Sequence, residues 1–427
     1  MFEKRAKRKI QLEEFFMKRV VITGMGIISP IGNTVDTFWT NLMKGKSGIS
    51  EIDTFDVSDT KTKIAGIIRE FDGEKLWGRK EARKLDRFCQ FALAAAEQAL
   101  EDSHIHLDKI NPERLGVYVG SGIGGINTLI ENVHLLNDRG AKRVSPSLVP
   151  MMISNAAAAQ ISIRLGARGP SMSPVTACSI GNTSIGEAYR AIQNDDADII
   201  FTGGAEAAIS KLSLASFGNA QALSTNNDVP TLASRPFDAS RDGFVMSEGA
   251  GILVLESMEH ALKREATIYG EVIGYGASSD AYHMVASHPD GRGAFQAMKS
   301  ALNNAQLSPN DIDLISAHAT STQVGDHSET KAIKNLFEDY AYKIPITANK
   351  SMLGHMLGAS GGAEAIALVK SLQDHFIPPT INLNHPDPEC DLDYVPNKGR
   401  SANLTIGLSN SFGFGGHNSA IIIKKFQ

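Results

Sequence analysis

Ser173-Pro174-Val175-Thr176-Ala177-Cys178-Ser179-Ile180-Gly181 is the stretch that decides how the rest of the chain reads. Val175-Thr176-Ala177 reads as the end of a buried strand, and Ile185-Gly186-Glu187-Ala188-Tyr189-Arg190-Ala191-Ile192 as the helix after it. One cysteine sits at the junction, with small neighbours and Gly181 just beyond. The first turn of a helix carries N–H groups without intrahelical partners, and these favour an anion. A cysteine there is expected to have a lowered pKa and to present a nucleophilic thiolate, with a nearby N–H to hold an oxyanion. Free cysteine is also a common small buried residue, so the surrounding chain has to decide.

The second half repeats this stretch. Pro345-Ile346-Thr347-Ala348 copies Pro174-Val175-Thr176-Ala177, and Ala363-Glu364-Ala365-Ile366-Ala367-Leu368 copies Gly186-Glu187-Ala188-Tyr189-Arg190-Ala191. Strand-like runs surround both copies: Arg19 to Gly26, Arg114 to Gly120, Asp198 to Gly204 and Gly249 to Leu255 in the first half, then Ile268 to Gly276, Asp311 to Ala317, Leu404 to Leu408 and Ala420 to Ile423. Weak similarity in constant order predicts a duplicated α/β unit with two central sheets and helices around them. The expected halves are residues 18–265 and 266–427, after a disordered basic extension over 1–17 that contains Lys4-Arg5-Ala6-Lys7-Arg8-Lys9 and ends at a second candidate start, Met17.

Composition narrows the function. A net charge of −5 supplies no global pull toward nucleic acid or a membrane, and no apolar run is long enough to span a bilayer. Cys89, Cys178 and Cys390 form no CxxC pair or Cys/His ligand spacing, which argues against a structural zinc and for a reducing compartment, the cytoplasm. Gly24-Met25-Gly26 is followed by Ile28-Ser29-Pro30, where a dinucleotide fingerprint needs glycine and a helix start.

Three second-half segments follow strands, where active sites of α/β folds gather. They are His318-Ala319-Thr320-Ser321-Thr322, Asn349-Lys350-Ser351-Met352-Leu353-Gly354-His355 and Asn410-Ser411-Phe412-Gly413-Phe414-Gly415-Gly416-His417-Asn418. Two histidines flanked by Gly, Ser and Thr point to function, since a neutral imidazole donates to a developing oxyanion or enolate. Lys350 adds a fixed positive charge, Thr320 and Thr322 add hydroxyls, and the glycines around Phe414 allow a mobile or closely approached loop. Phe412 and Phe414 are candidates to cover an apolar channel, with core packing the competing role for Phe412. The turn Gly122-Ile123-Gly124-Gly125 offers Ile123 as its one bulky side chain. A helix over Leu85 to Leu100 starts beside Lys80, Arg83 and Lys84, an unusual place for cations because helix N-termini prefer anions.

Thr176-Ala177-Cys178, the His318, Lys350–His355 and Asn410–Gly416 segments, Arg235-Pro236-Phe237-Asp238 and Arg241-Asp242-Gly243-Phe244 together resemble the motif set of the β-ketoacyl-acyl-carrier-protein synthases. The match runs from about residue 18 to the C-terminus, and Ile123 makes it most similar to the type II elongating synthase. The resemblance implies a thiolase-like αβαβα fold whose halves are related by a pseudo-twofold axis. It implies a homodimer and a condensation that needs no metal or nucleotide cofactor. Cys178 would take an acyl group from acyl carrier protein. His318 and His355 would bind the malonyl thioester as it loses carbon dioxide, and the carbanion would attack the acyl-cysteine. Cys178 and Phe414 would supply the oxyanion N–H groups, with Phe414 also the gate. Lys350 would support the charges, Thr320 and Thr322 would hold the phosphopantetheine arm, and Ile123, Phe412 and Phe414 would line the acyl pocket. Lys80, Arg83 and Lys84 would meet the acidic carrier.

Ala319, Asn349, Ser247 and His417 depart from that pattern, and Ala319 and His417 are expected to border the active site. Three other readings remain open at this point: a ketosynthase of a polyketide or specialised lipid pathway, a non-catalytic ketosynthase partner subunit, and a hydrolase using Cys178. Retention of Cys178, His318 and His355 argues against the partner subunit.

Overall fold

The computed structural model describes residues 17–427, so the basic run Lys4 to Lys9 lies outside it. Ten strands form one sheet, in the spatial order Ile346–Thr347, Leu314–Ser316, Ile406–Gly413, His417–Lys424, Gly270–Ser279, Val20–Ile28, Gly249–Ser257, Ile199–Glu206, Leu115–Gly120, Ser171–Met172. Numbered within each half, both sets of five run 1-5-4-2-3 outward from the centre. The directions repeat as well. Strand 5 is antiparallel to 1 and 4, and strands 4, 2 and 3 are mutually parallel, in both halves. The duplication is therefore a property of the topology.

The expectation of two separate sheets is corrected at the centre. Val20, Val21 and Ile22 pair antiparallel with Val272, Glu271 and Gly270, and this short ladder joins the halves into one sheet.

Alternation along the strands explains the layering, because successive side chains point to opposite faces. Leu253 and Leu255 face a central core with Ile185, Ala188, Ala363 and Ile366, while Ile252 and Val254 face an outer core with Phe88, Ala92 and Ala95. In the second half Ile421 and Ile423 face the central core, and Ala420 and Ile422 an outer core with Ala297, Met298 and Ala301. Both faces of each half are covered, so the middles of these strands, Ile252 to Leu255 and Ala420 to Ile423, are apolar on both sides. In the central layer the helices Ile180–Gln193 and Ser360–Asp374 touch at glycine. A Cβ at Gly181 would lie 2.4 Å from the Gly362 nitrogen.

Two local readings change. Val175-Thr176-Ala177 is not a strand: Val175 is 56% exposed, and the paired strand ends at Met172. The parallel strand Ile346–Thr347 corresponds to Ser171–Met172, and the 3-10 turn Ala177–Ser179 to Leu357–Ala359, each leading into a central helix. Ala177 and Leu357 share a positive φ, 51° and 48°. The second half has room between strand and turn for the short helix Lys350–Leu353 and for His355.

The long helix starts at Arg87, two residues later than expected at Leu85, and runs to Ser103. Asp86 caps it by accepting from Phe88 N, so an anion does occupy the N-terminus. Lys80 belongs instead to a separate four-residue helix, Arg79–Ala82.

Candidate active site

Cys178 lies in the 3-10 turn Ala177–Ser179, which opens directly into the helix Ile180–Gln193. It lines a cavity of about 650 Å³ together with Ile123, His318, Thr320, Thr322, His355, Phe412 and Phe414. The fold thus brings together every candidate of the sequence reading except Lys350 and the cationic trio Lys80, Arg83 and Lys84, none of which lines it. His417 and Ala319 do not line it either, but stand next to residues that do: Ala319 between His318 and Thr320, and His417 paired with Gly413. His417 is an exposed residue that starts a strand, and Ala319 is buried in the outer core of the second half with φ +33°.

The thiol is not the activated thiolate expected from a helix start. Burial pushes the Cys178 thiol up to about 12. Lys350 and the backbone N–H groups of Phe414 and Cys178 act in the opposite direction without overcoming desolvation. Those two amides face the sulfur, where they can also receive the oxygen of a group bonded to it. Gly413 makes this arrangement possible. A Cβ there would stand 2.5 Å from Thr176 O and 2.9 Å from Cys178 N. The glycine serves close approach of strand to nucleophile, and the turn itself falls on Gly415 and Gly416, with φ +83° and +76°.

Both histidines are neutral near pH 7. Burial, then the charge of Lys350, holds His355 well below the usual histidine value, and His318 is lowered by burial, Lys350 and His355 in turn. Their rings meet edge to face with centroids 5.5 Å apart. Phe412 lies 5.5 Å from His318, and Phe244 5.3 Å from His355. Ser360 Oγ is 3.1 Å from His355 Nδ1, and a hydroxyl donated there leaves the ring proton on Nε2.

Lys350 acts from behind. It is 1% exposed and donates from Nζ to Glu364 Oε1 at 2.5 Å. Its field reaches the cavity through the two imidazoles and the thiol rather than by contact. Thr320 and Thr322 place their hydroxyl oxygens 3.0 Å apart.

Two carboxylates were missed in the sequence. Glu206, fully buried, accepts from Ser121 Oγ at 2.8 Å, Gly122 N at 2.9 Å, Ile123 N at 3.1 Å and Gly358 N at 3.1 Å. It ties the turn carrying Ile123 to the turn following His355. Glu329 accepts from the backbone N–H groups of His318 and Ala319 at 2.9 and 2.8 Å. The signal available was an acid inside an apolar strand (Glu206) and one on the inner face of a helix (Glu329), since neither is buried unless its oxygens are satisfied.

Residues 17–261 match the family described as Beta-ketoacyl synthase, N-terminal domain, and residues 269–384 match Beta-ketoacyl synthase, C-terminal domain. The chain belongs to the β-ketoacyl synthase family. This ketosynthase is 50% identical over 410 residues to the 3-oxoacyl-[acyl-carrier-protein] synthase 2 of Synechocystis sp., covering 96% of this chain and 99% of the relative. It is 49% identical, with the same coverage, to the enzyme of that name from Staphylococcus aureus strain COL. Among solved structures it resembles a β-ketoacyl synthase from Burkholderia phymatum STM815, with TM-score 0.90, 35% identity, and 96% and 100% of the two chains covered. It also resembles a type II PKS ketosynthase solved with its acyl-carrier protein and bound to the hexaketide, with TM-score 0.89, 35% identity and the same coverage. The fold is thiolase-like. No helix among the described residues is long and apolar enough to cross a membrane.

Proposed function

We propose that this ketosynthase elongates acyl chains held on acyl carrier protein by decarboxylative Claisen condensation, as a type II-like 3-oxoacyl-acyl-carrier-protein synthase of fatty-acid synthesis. The observation that carries this is the meeting of Cys178, His318 and His355 around one cavity, with the Cys178 and Phe414 amides facing the sulfur. The 50% identity to a 3-oxoacyl-[acyl-carrier-protein] synthase 2, against 35% to the type II PKS ketosynthase, favours fatty-acid over polyketide synthesis.

In the first step Cys178 Sγ attacks the acyl thioester, its proton leaves with the carrier thiol, and the two amides hold the tetrahedral oxyanion. In the second step malonyl carrier loses carbon dioxide. The neutral imidazoles of His318 and His355 donate to the thioester oxygen as the enolate forms, and Lys350 keeps them neutral. The carbanion attacks the acyl-cysteine, the C–S bond breaks, and Cys178 takes up a proton. Thr320 and Thr322 hold the phosphopantetheine arm, Ile123, Phe412 and Phe414 bound the acyl group, and Phe414 gates it. This chemistry uses no metal or nucleotide cofactor.

Carrier docking uses Lys80, Arg83 and Lys84. Arg83 lies 3.7 Å from Glu74 and Lys84 2.7 Å from Glu81, so each exposed pair weakens the patch. A second copy docks at the sheet edge Ser171–Met172, whose residues are exposed, whereas the opposite edge Ile346–Thr347 is buried. The halves act as units 18–265 and 266–427, with the nucleophile in the first and both histidines in the second.

The test separates the two steps. His318→Ala and His355→Ala should each still form an acyl adduct on Cys178 while losing carbon dioxide release from malonyl carrier. Retention of decarboxylation in both would exclude the assigned role, and release of free acid without condensation would favour the hydrolase.

A further inference from the structure

We propose that His327, Asp387, Glu389 and Cys390 form a binding site for a divalent transition-metal ion of the zinc class. None of the four lines the reaction cavity, and none belongs to the condensing machinery.

The site is built from one turn and one helix. Asp387-Pro388-Glu389-Cys390 closes as a turn, with Cys390 N donating to Asp387 O at 2.8 Å and Glu389 N to Asp387 Oδ1 at 3.0 Å. Three donors therefore come from four consecutive residues. His327, on the helix Gln323–Phe337, faces them: its Nε2 is 2.8 Å from Asp387 Oδ2 and 3.6 Å from Glu389 Oε2. The ligand atoms of His327, Asp387 and Cys390 all lie within 4.8 Å of one another. Small rotations bring imidazole, carboxylate and sulfur onto a common ion. Cys390 is 1% exposed and forms the floor, while the His327 side chain is 25% exposed and gives entry from solvent.

The donor set selects the ion. Nitrogen, oxygen and sulfur suit zinc, cobalt(II) or cadmium, whereas magnesium and calcium require oxygen alone. Arg241 Nη1 is 2.8 Å from Asp387 Oδ2 and its Nε is 3.4 Å from Asp326 Oδ2, so the guanidinium is shared between the proposed carboxylate ligand and a second, buried carboxylate. The same guanidinium donates to Thr322 O at 3.1 Å and Gln323 O at 3.0 Å, so the ion's carboxylate ligand and the Thr320–Thr322 loop share one cation. A separation of 60 positions between His327 and Asp387 hides the constellation from any CxxC-type reading of the sequence.

The experiment uses full-length protein carrying Cys178→Ala, so that the cavity thiol adds no ligand. Titration with cobalt(II) should give a near-ultraviolet thiolate-to-metal charge-transfer band and tetrahedral visible bands, saturating at about one ion per chain. Adding Cys390→Ser should abolish the charge-transfer band. Adding His327→Gln, at a partly exposed position that the fold tolerates, should weaken binding by at least about tenfold. Zinc should raise the melting temperature of the Cys178→Ala protein and not of Cys178→Ala/His327→Gln. Absence of the band, a band unchanged by both substitutions, or an equal melting shift from magnesium would each overturn the site.

Discussion

Cys178 shows what a single residue's surroundings do to a motif. A cysteine opening a helix suggests a thiolate, yet the side chain is only 8% exposed and burial raises its pKa. Below that value the thiolate fraction climbs about tenfold per pH unit. Alkylation of Cys178 by iodoacetamide should therefore keep accelerating from pH 7 through pH 9; a plateau before pH 8 would contradict the raised thiol. Lys350 and Glu364 are a second case, each 1% exposed. Lys350→Met leaves a buried carboxyl unpaired and should cost about 3 kcal/mol of stability near neutral pH, read by chemical denaturation. Burial raises the Glu364 pKa. A carboxyl that holds its proton more tightly folded than unfolded destabilises as pH rises past its unfolded value. The variant should thus be most stable in mild acid and lose stability toward pH 8, and adding Glu364→Gln should remove that slope. An unchanged slope in the double variant would exclude Glu364 as its source.

At the scale of the element, turns were harder to read than strands. The apolar strands announced themselves because both faces of the sheet are covered, and Val20–Ile28, Leu115–Gly120 and Gly249–Ser257 fall close to their expected places. The segment before Cys178 looked like a strand because Val175 and Thr176 are β-branched, and tertiary context overrides that preference. The role of Gly413 was half legible. Glycine signals either mobility or close approach, and only packed neighbours distinguish them. Its Cβ position collides with the backbone of both Thr176 and Cys178. Gly413→Val should therefore slow acyl adduct formation on Cys178 at least about tenfold, as well as the condensation that follows. Adduct formation at the wild-type rate, timed by intact mass, would restore the mobile-loop reading.

At the scale of the molecule, internal repetition predicted a duplicated α/β fold, and the 1-5-4-2-3 order in both halves carries it. The Val20–Val272 ladder was not legible, since pairing of strands so far apart in the chain leaves no local trace. The convergence of Cys178 from one half with His318 and His355 from the other was inferable from the order of their segments, whereas the sequence marks Glu206 and Glu329 only as acids in buried positions, and their partners on distant segments, such as Ser121 and Asn410, leave no local trace. The sheet has one exposed end, with Met172 38% exposed, and the neighbouring helix Ala156–Leu165 adds Ile163, 74% exposed. The proposed docking of a second copy at this edge predicts a dimer in analytical ultracentrifugation that Met172→Asp converts to monomer; a wild-type monomer, or a dimer unchanged by the substitution, would overturn that placement. The most direct measurement is intact mass after mixing wild-type and Cys178→Ala protein with acyl-carrier-protein thioesters of several lengths, then adding malonyl carrier. The account predicts an acyl adduct on wild type alone, which the malonyl thioester converts to a β-ketoacyl product. An adduct on the Cys178→Ala protein, or none on wild type at any chain length, would contradict it.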